Sequence, residues 1–128
     1  GLVVYPHGGP HGNMGCEFFV GPSLLALDGH MVLLVNFRGS TGFGMRALES
    51  LLGKVGRQDV DDVKRAVDQV DELRPDAGRP TYACGGSHGG FLSLHLVGQF
   101  PDQFRAAAVR NPVTDMATML GATDIPVP

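Results

Sequence analysis

Short apolar runs alternate with helical periodicity along the whole chain. Leu2–Tyr5 is a continuous apolar run stopped by Pro6 and predicts a buried strand. Phe18–Leu27 predicts a helix, with Pro22 near its start and Gly29 just past its end. Met31–Phe37, "MVLLVNF", is the strongest strand signal, apolar on both faces as a central parallel strand is. Over Asp59–Leu73, Val60, Val63, Val67, Val70 and Leu73 recur at helical spacing, while Asp61, Asp62, Lys64, Arg65 and Asp68 take the other face. Asp59 is placed to N-cap this helix, with acids in its first turn favoured by the helix dipole. Tyr82–Cys84 reads as a short strand, Gly90–Phe100 as a helix ended by Pro101, and Ala106–Val109 as the last strand. Strand and helix thus alternate four strands deep, which implies a parallel sheet with helices packed on its faces. The chain opens on "GLVVYP" as if already inside a strand, and "ATDIPVP" closes it without a helix or cap signal. The pattern reads as a segment of something larger.

Glycine supplies 19 of the 128 residues and gathers at 8–15, 39–44 and 85–90, each cluster following an apolar run. Those are the carboxyl ends of strands, where open α/β sheets collect their chemistry. Gly85-Gly86-Ser87-His88-Gly89 fits G-x-S-x-G between a strand and a helix, the context of a nucleophile elbow. Such a turn forces its central residue towards positive φ, while Gly85 and Gly89 let strand and helix approach. The Ser87 hydroxyl is then held above the sheet edge, with the backbone N–H of His88 aimed where a tetrahedral oxyanion forms. A second donor is expected from the loop after an earlier strand. "YPHGGPHG" is that loop; Pro10 has no N–H, so the donor is Gly9, or failing that Gly8, with His7 bracing the loop by a hydrogen bond. The plainer reading of both stretches is a pair of glycine-rich turns, with Ser87 capping a helix.

"PHGGP", "NFRGSTGFG" and "GGSHGGF", together with "VGRQDVDDV" and "RNPV", resemble the catalytic domain of the prolyl oligopeptidase family of serine peptidases, over essentially the whole chain. Within the family, the likeness is to members that remove an N-acylated amino acid from short peptides. The resemblance implies a partial α/β-hydrolase fold of about four parallel strands with flanking helices over residues 1–128. It implies Ser87 as nucleophile, Gly9 and His88 as oxyanion donors, no cofactor and no metal, and a cytoplasmic location. It further implies that the rest of the catalytic domain and a β-propeller lie outside this segment, and a homo-oligomeric parent is compatible with it.

Composition removes other classes. A net charge of −3 and a pI near 5.9 oppose an electrostatic grip on nucleic acid. No apolar run approaches the roughly 18 residues that span a bilayer, so no membrane partner is expected, and no signal-peptide pattern opens the chain. Cys16 and Cys84 form no CxxC or metal-ligand spacing, and two unclustered thiols suit a reducing compartment.

A serine needs a base and a group to orient it, which in α/β hydrolases follow in the order Ser, Asp, His. The histidines are His7, His11, His30, His88 and His95, and none follows His95. Asp102, Asp115 and Asp124 therefore have no later histidine to orient. His88 leaves the elbow in another direction, and His95 lies along the helix behind it. The acid and base are expected beyond Pro128, and the segment alone is expected to have little or no activity. Arg38, at the end of the strongest strand, either binds substrate or, the preferred reading, ties neighbouring loops through backbone carbonyls. The loop 39–44 is expected to shape the site floor. Gly42-x-Gly44-x-x-Ala47 matches a dinucleotide fingerprint, but its glycines lie four to six residues past Arg38 and no acid ends a following strand. Gly53-Lys54 is followed by Val55, so no Walker A exists. A carboxylesterase or lipase, another peptidase of the same family, and an inactive structural fragment are the remaining alternatives.

Overall fold

β1 (Leu2–Pro6), β2 (Met31–Val35), β3 (Thr81–Gly86) and β4 (Phe104–Arg110) form one sheet in the order β2-β1-β3-β4, every pairing parallel. They belong to a computed structural model that describes residues 1–74 and 78–123. Val4 sits at the centre of the register, level with Leu33 on one side and Ala83 on the other, and is fully buried. Parallel neighbours require crossovers, and helices provide them: α1 (Val20–Leu27), α3 (Gln58–Leu73) and α4 (His88–Gln99). The buried core joins Leu2 and Val4 of β1 to Val60, Val63 and Val67 of α3 and Leu92 and Leu96 of α4.

The elements differ from the sequence reading in instructive places. β2 is the outer of the four strands in this segment, with Met31–Leu34 half-buried. It ends at Val35 because the Asn36 side chain clasps the Met14 backbone, accepting from its N–H at 2.8 Å and donating to its carbonyl at 2.9 Å. α1 begins at Val20 because Phe19 is extended, at φ −115° and ψ 120°.

Asp59 is not the N-cap of α3. The helix starts at Gln58 after Arg57, and Asp59 lies inside the first turn, fully buried. Two short helices went unpredicted, since each is too brief to establish a period: α2 (Met45–Glu49) and α5 (Met116–Ala122). α5 is set by Asp115, whose carboxylate accepts from the N–H groups of Ala117 and Thr118 and from the Thr118 hydroxyl. The Thr118 hydroxyl, with the two amides, holds that carboxyl below its ordinary range. Ala122, which opens the "ATDIPVP" run, ends α5; residues 124–128 lie outside the described residues.

Candidate active site

β3 runs into α4 with one residue between them, Ser87, at φ 55° and ψ −124°. Positive φ at a non-glycine residue costs on the order of 1–3 kcal/mol, so its surroundings must hold it. They do so from both ends. The Ser87 N–H donates to Arg110 O at 3.0 Å, and Ser87 O accepts from the Phe91 N–H at 3.1 Å. The second bond turns the Ser87–His88 carbonyl into the helix. Across a trans peptide the His88 N–H then points the opposite way, out of the helix N-terminus. The Ser87 side chain is exposed. The two flanking glycines are demanded by close approach: a Cβ on Gly89 would run into Pro6 O, and one on Gly85 into Gly89 O.

The "HGGP" loop lies against this bend. A Cβ on Gly8 would stand 3.4 Å from Gly86 O and 3.5 Å from Ser87 Cβ. His7 is buried and stacks on Phe37 with ring centroids 4.4 Å apart. Its Nδ1 lies 2.6 Å from Gly8 O and its Nε2 2.7 Å from Ser40 Oγ. A carbonyl can only accept, so the Gly8 contact places a proton on Nδ1, while the single Ser40 hydroxyl proton is shared between Nε2 and Phe37 O, 2.6 Å away. Holding Gly8 O fixes the plane of the next peptide and so the direction of the Gly9 N–H. The Gly9–Pro10 bond is cis.

Burial pushes the His7 imidazole below its ordinary pKa; the Gly8 hydrogen bond works the other way, and nearby His88 adds to the lowering. The unfolded chain therefore binds more protons than the native one on the acid side of neutrality, so stability rises with pH there. The His7 contribution is complete above about pH 6.5, the unfolded histidine pKa, and is lost as pH falls towards the lower native value. Thermal unfolding followed from pH 7.5 to 5 is expected to lose more stability in the wild type than in His7→Asn, and equal losses would refute it.

The other histidines are engaged away from Ser87. His88 is buried, with Nε2 2.8 Å from Asp59 Oδ2 and its ring tilted on Phe37 and Phe91. His95 accepts from Gln99 at 2.7 Å and meets Phe91 edge-on. His11 donates to Gly39 O at 2.8 Å, and His30 lies 3.5 Å from Asp28. Among the described residues no histidine hydrogen-bonds Ser87.

Arg38 does not tie loops through backbone carbonyls. Its guanidinium forms a two-pronged pair with the Asp62 carboxylate on α3, Nε to Oδ2 at 2.8 Å and Nη2 to Oδ1 at 2.7 Å. The loop 39–44 lines neither cleft described below and instead braces the "HGGP" loop from behind. Ser40 reaches His7, Gly39 O takes His11, and Thr41 takes Asn13.

Two openings lie along the bend and the "HGGP" loop. One, about 410 Å³, is lined by His7, Gly8, Ser87, Arg110 and Asn111 among others. The second, about 550 Å³ and mostly apolar, is lined by Gly9, Pro10, Val55, His88, Phe91, Val113, Thr114, Met116 and Met119. Ser87 and Gly8 thus share the first opening, and Gly9 and His88 the second. Sequence reasoning missed three residues here. Arg110 carries the carbonyl that anchors Ser87, and Asn111 follows it at φ 46°. Asp59 is the third, and a signal for it existed: 59, 63 and 67 form one i, i+4, i+8 row, so an acid there faces the core.

The model of the prolyl oligopeptidase family matches residues 16–128. The acylamino-acid-releasing enzyme of Sus scrofa is 55% identical over 126 residues, covering 98% of this chain and 17% of that enzyme. Acylaminoacyl peptidase from Pyrococcus horikoshii, uncomplexed, superposes with a TM-score of 0.90 at 30% identity, over 97% of this chain and 20% of that one. An acylaminoacyl peptidase in complex with Z-Gly-Gly-Phe-chloromethyl ketone gives the same TM-score, 0.90, identity, 30%, and coverage, 97% and 20%. The chain therefore spans about a sixth of the length of the curated relative it matches. Its four parallel strands and flanking helices are part of an α/β-hydrolase fold, and the chain belongs to the prolyl oligopeptidase family.

Proposed function

We propose that this segment supplies the nucleophile and oxyanion-binding half of a serine peptidase that releases an N-acylated amino acid from short peptides. The observation that carries the reading is the strained, exposed Ser87 with the "HGGP" loop packed against it. Ser87 Oγ attacks the scissile carbonyl carbon, its proton passing to a base. The carbonyl oxygen gains the negative charge, and the N–H groups of Gly9 and His88 receive it. Collapse expels the peptide amine with that proton and leaves an acyl-serine, which water hydrolyses. The apolar cavity beside Gly9 and His88 offers room for the side chain of the N-acylated residue. Support for the substrate class comes from the names of the relatives and from the peptidyl chloromethyl ketone bound by one of them.

In this reading the orienting acid and the base come from sequence outside residues 1–128, as does the propeller, and the intact enzyme works in the cytoplasm. Among the described residues no helix is long and apolar enough to cross a membrane. The test is a fluorophosphonate probe on the full-length protein, with mass spectrometry of the adduct and release of acetylalanine from an acetylated peptide. The expected result is a single adduct on Ser87 and turnover by the full-length protein, with none detectable from residues 1–128 alone. No adduct at Ser87 would remove the hydrolase reading; turnover of acyl esters without peptides would replace it by an esterase.

A further inference from the structure

Asp59 has a conspicuous environment for a residue outside the expected catalytic set. It is fully buried, on the first turn of α3, and its carboxylate is completely engaged. Oδ1 accepts from the N–H groups of Gly56 at 2.8 Å and Val60 at 3.1 Å. Oδ2 accepts from His88 Nε2 at 2.8 Å. Partner and acid are both nearly inaccessible, at 7% and 0% side-chain exposure. Burying two ionisable groups is expensive, and an apolar pair would fill the same space at less cost. With every carboxylate bond made, the pair holds the His88 side chain in one place, one residue after the bend.

That position matters because of what the Ser87–His88 peptide does. Ser87 is strained, and rotating this peptide is the local motion that would relieve it. The rotation would also swing the His88 N–H away from the incoming oxyanion. On the Ser87 side, bonds to Arg110 O and from Phe91 N–H oppose it. On the His88 side, the imidazole is gripped by Asp59 and by the rings of Phe37 and Phe91, at centroid distances of 5.8 and 5.2 Å. Phe37 also stacks on His7, which orients the Gly9 peptide. The two oxyanion amides are thereby referenced to one aromatic and ionic cluster behind them.

The geometry points to Asp59 as a positioning residue for transition-state binding, acting through the His88 side chain on the His88 amide. The inference rests on the hydrolase reading above. It makes Asp59 distinct from the acid that orients the catalytic base: Asp59 touches neither substrate nor nucleophile, and its effect is confined to the transition state.

The test uses the full-length protein and counts active sites by fluorophosphonate titration, so that every rate refers to folded enzyme. Asp59→Ala is expected to lower kcat about 10- to 100-fold, the size of loss that small misplacements cause, with KM within about threefold of wild type. Binding of an N-acetylamino aldehyde, whose adduct places an oxyanion between the two amides, should weaken in parallel with kcat. Asp59→Asn should recover much of the loss, because its amide can donate to His88 Nε2 once the ring proton moves to Nδ1. His88→Phe should mimic Asp59→Ala, and D59A/H88F should be no worse than the poorer single variant. If D59A does not fold, D59N/H88F, which buries no charge, carries the same comparison. Values of kcat per titrated site within twofold of wild type, a rise in KM alone, or losses that multiply in the double variant would overturn the assignment and leave a purely structural pair. A wild-type protein that takes up no probe at Ser87 would instead remove the hydrolase reading, and this inference with it.

Discussion

Ser87→Ala in the full-length protein lowers kcat for an acetylated peptide by about 10⁴-fold or more, with KM nearly unchanged, and abolishes fluorophosphonate labelling. The expectation rests on what the other hydroxyls near the bend are doing. Ser40 is buried and bonded to His7 and to Phe37 O; Ser93 is buried and donates to Gly89 O at 2.8 Å. Neither can reach a substrate without breaking the structure that positions the site. Ser87 is exposed, stands at the C-terminal edge of the sheet, and opens onto a cleft. Removing one oxygen leaves the backbone bonds of residue 87 intact, because both are made by main-chain atoms. The variant should therefore fold as the wild type does, with an alanine in the strained conformation. The split follows: ground-state binding survives, while the covalent path is gone. Probe uptake by the alanine variant at the wild-type rate would place the nucleophile elsewhere.

The parts of this site that were legible in the sequence are those where backbone geometry forces residue choice. A sharp turn with a backbone in van der Waals contact admits only glycine, so Gly85, Gly89 and the "HGGP" loop announce themselves in one dimension. β1 was legible because burial makes it a continuous apolar run, whereas the placement of β2 in the sheet was not. β2 reads like a central strand yet is the outer of the four in this segment, since composition records apolar neighbours without saying which chain segment supplies them. Side-chain pairings between distant elements were the least legible. Arg38 finds Asp62, and His88 finds Asp59, across separations of 24 and 29 residues. In each case the acid looked like part of a solvated helix face or a cap. Only the i, i+4, i+8 row shared with Val63 and Val67 separates the buried Asp59 from its neighbours, exposed Asp61 and half-buried Asp62.

Gly89→Ala is expected to destabilise the domain by about 2 kcal/mol or more and to cut kcat at least tenfold in whatever folds. Two effects compete. Within an α-helix, replacing glycine by alanine is favourable by roughly 1 kcal/mol, and Gly89 is the second residue of α4. Against this, the new methyl would collide with Pro6 O, a main-chain atom at the end of β1 that has no rotamer to escape into. His7 O lies 3.1 Å from the same point, so the helix must retreat from the strand as a body. Overpacking of this kind costs about 1–3 kcal/mol where side chains can adjust, and more where backbone opposes backbone, so the clash wins. The same retreat separates the His88 amide, on α4, from the Gly9 amide, on the loop leaving β1. Gly98→Ala is the matched control: same helix, an exposed position, and nothing within 4 Å of the added carbon. It should gain up to about 1 kcal/mol and leave kcat unchanged. Urea titrations followed by retained fluorophosphonate labelling, with kcat per labelled site in parallel, separate the two variants. Equal stability of G89A and G98A would mean that helix and strand do not meet at the elbow as closely as the structure has them.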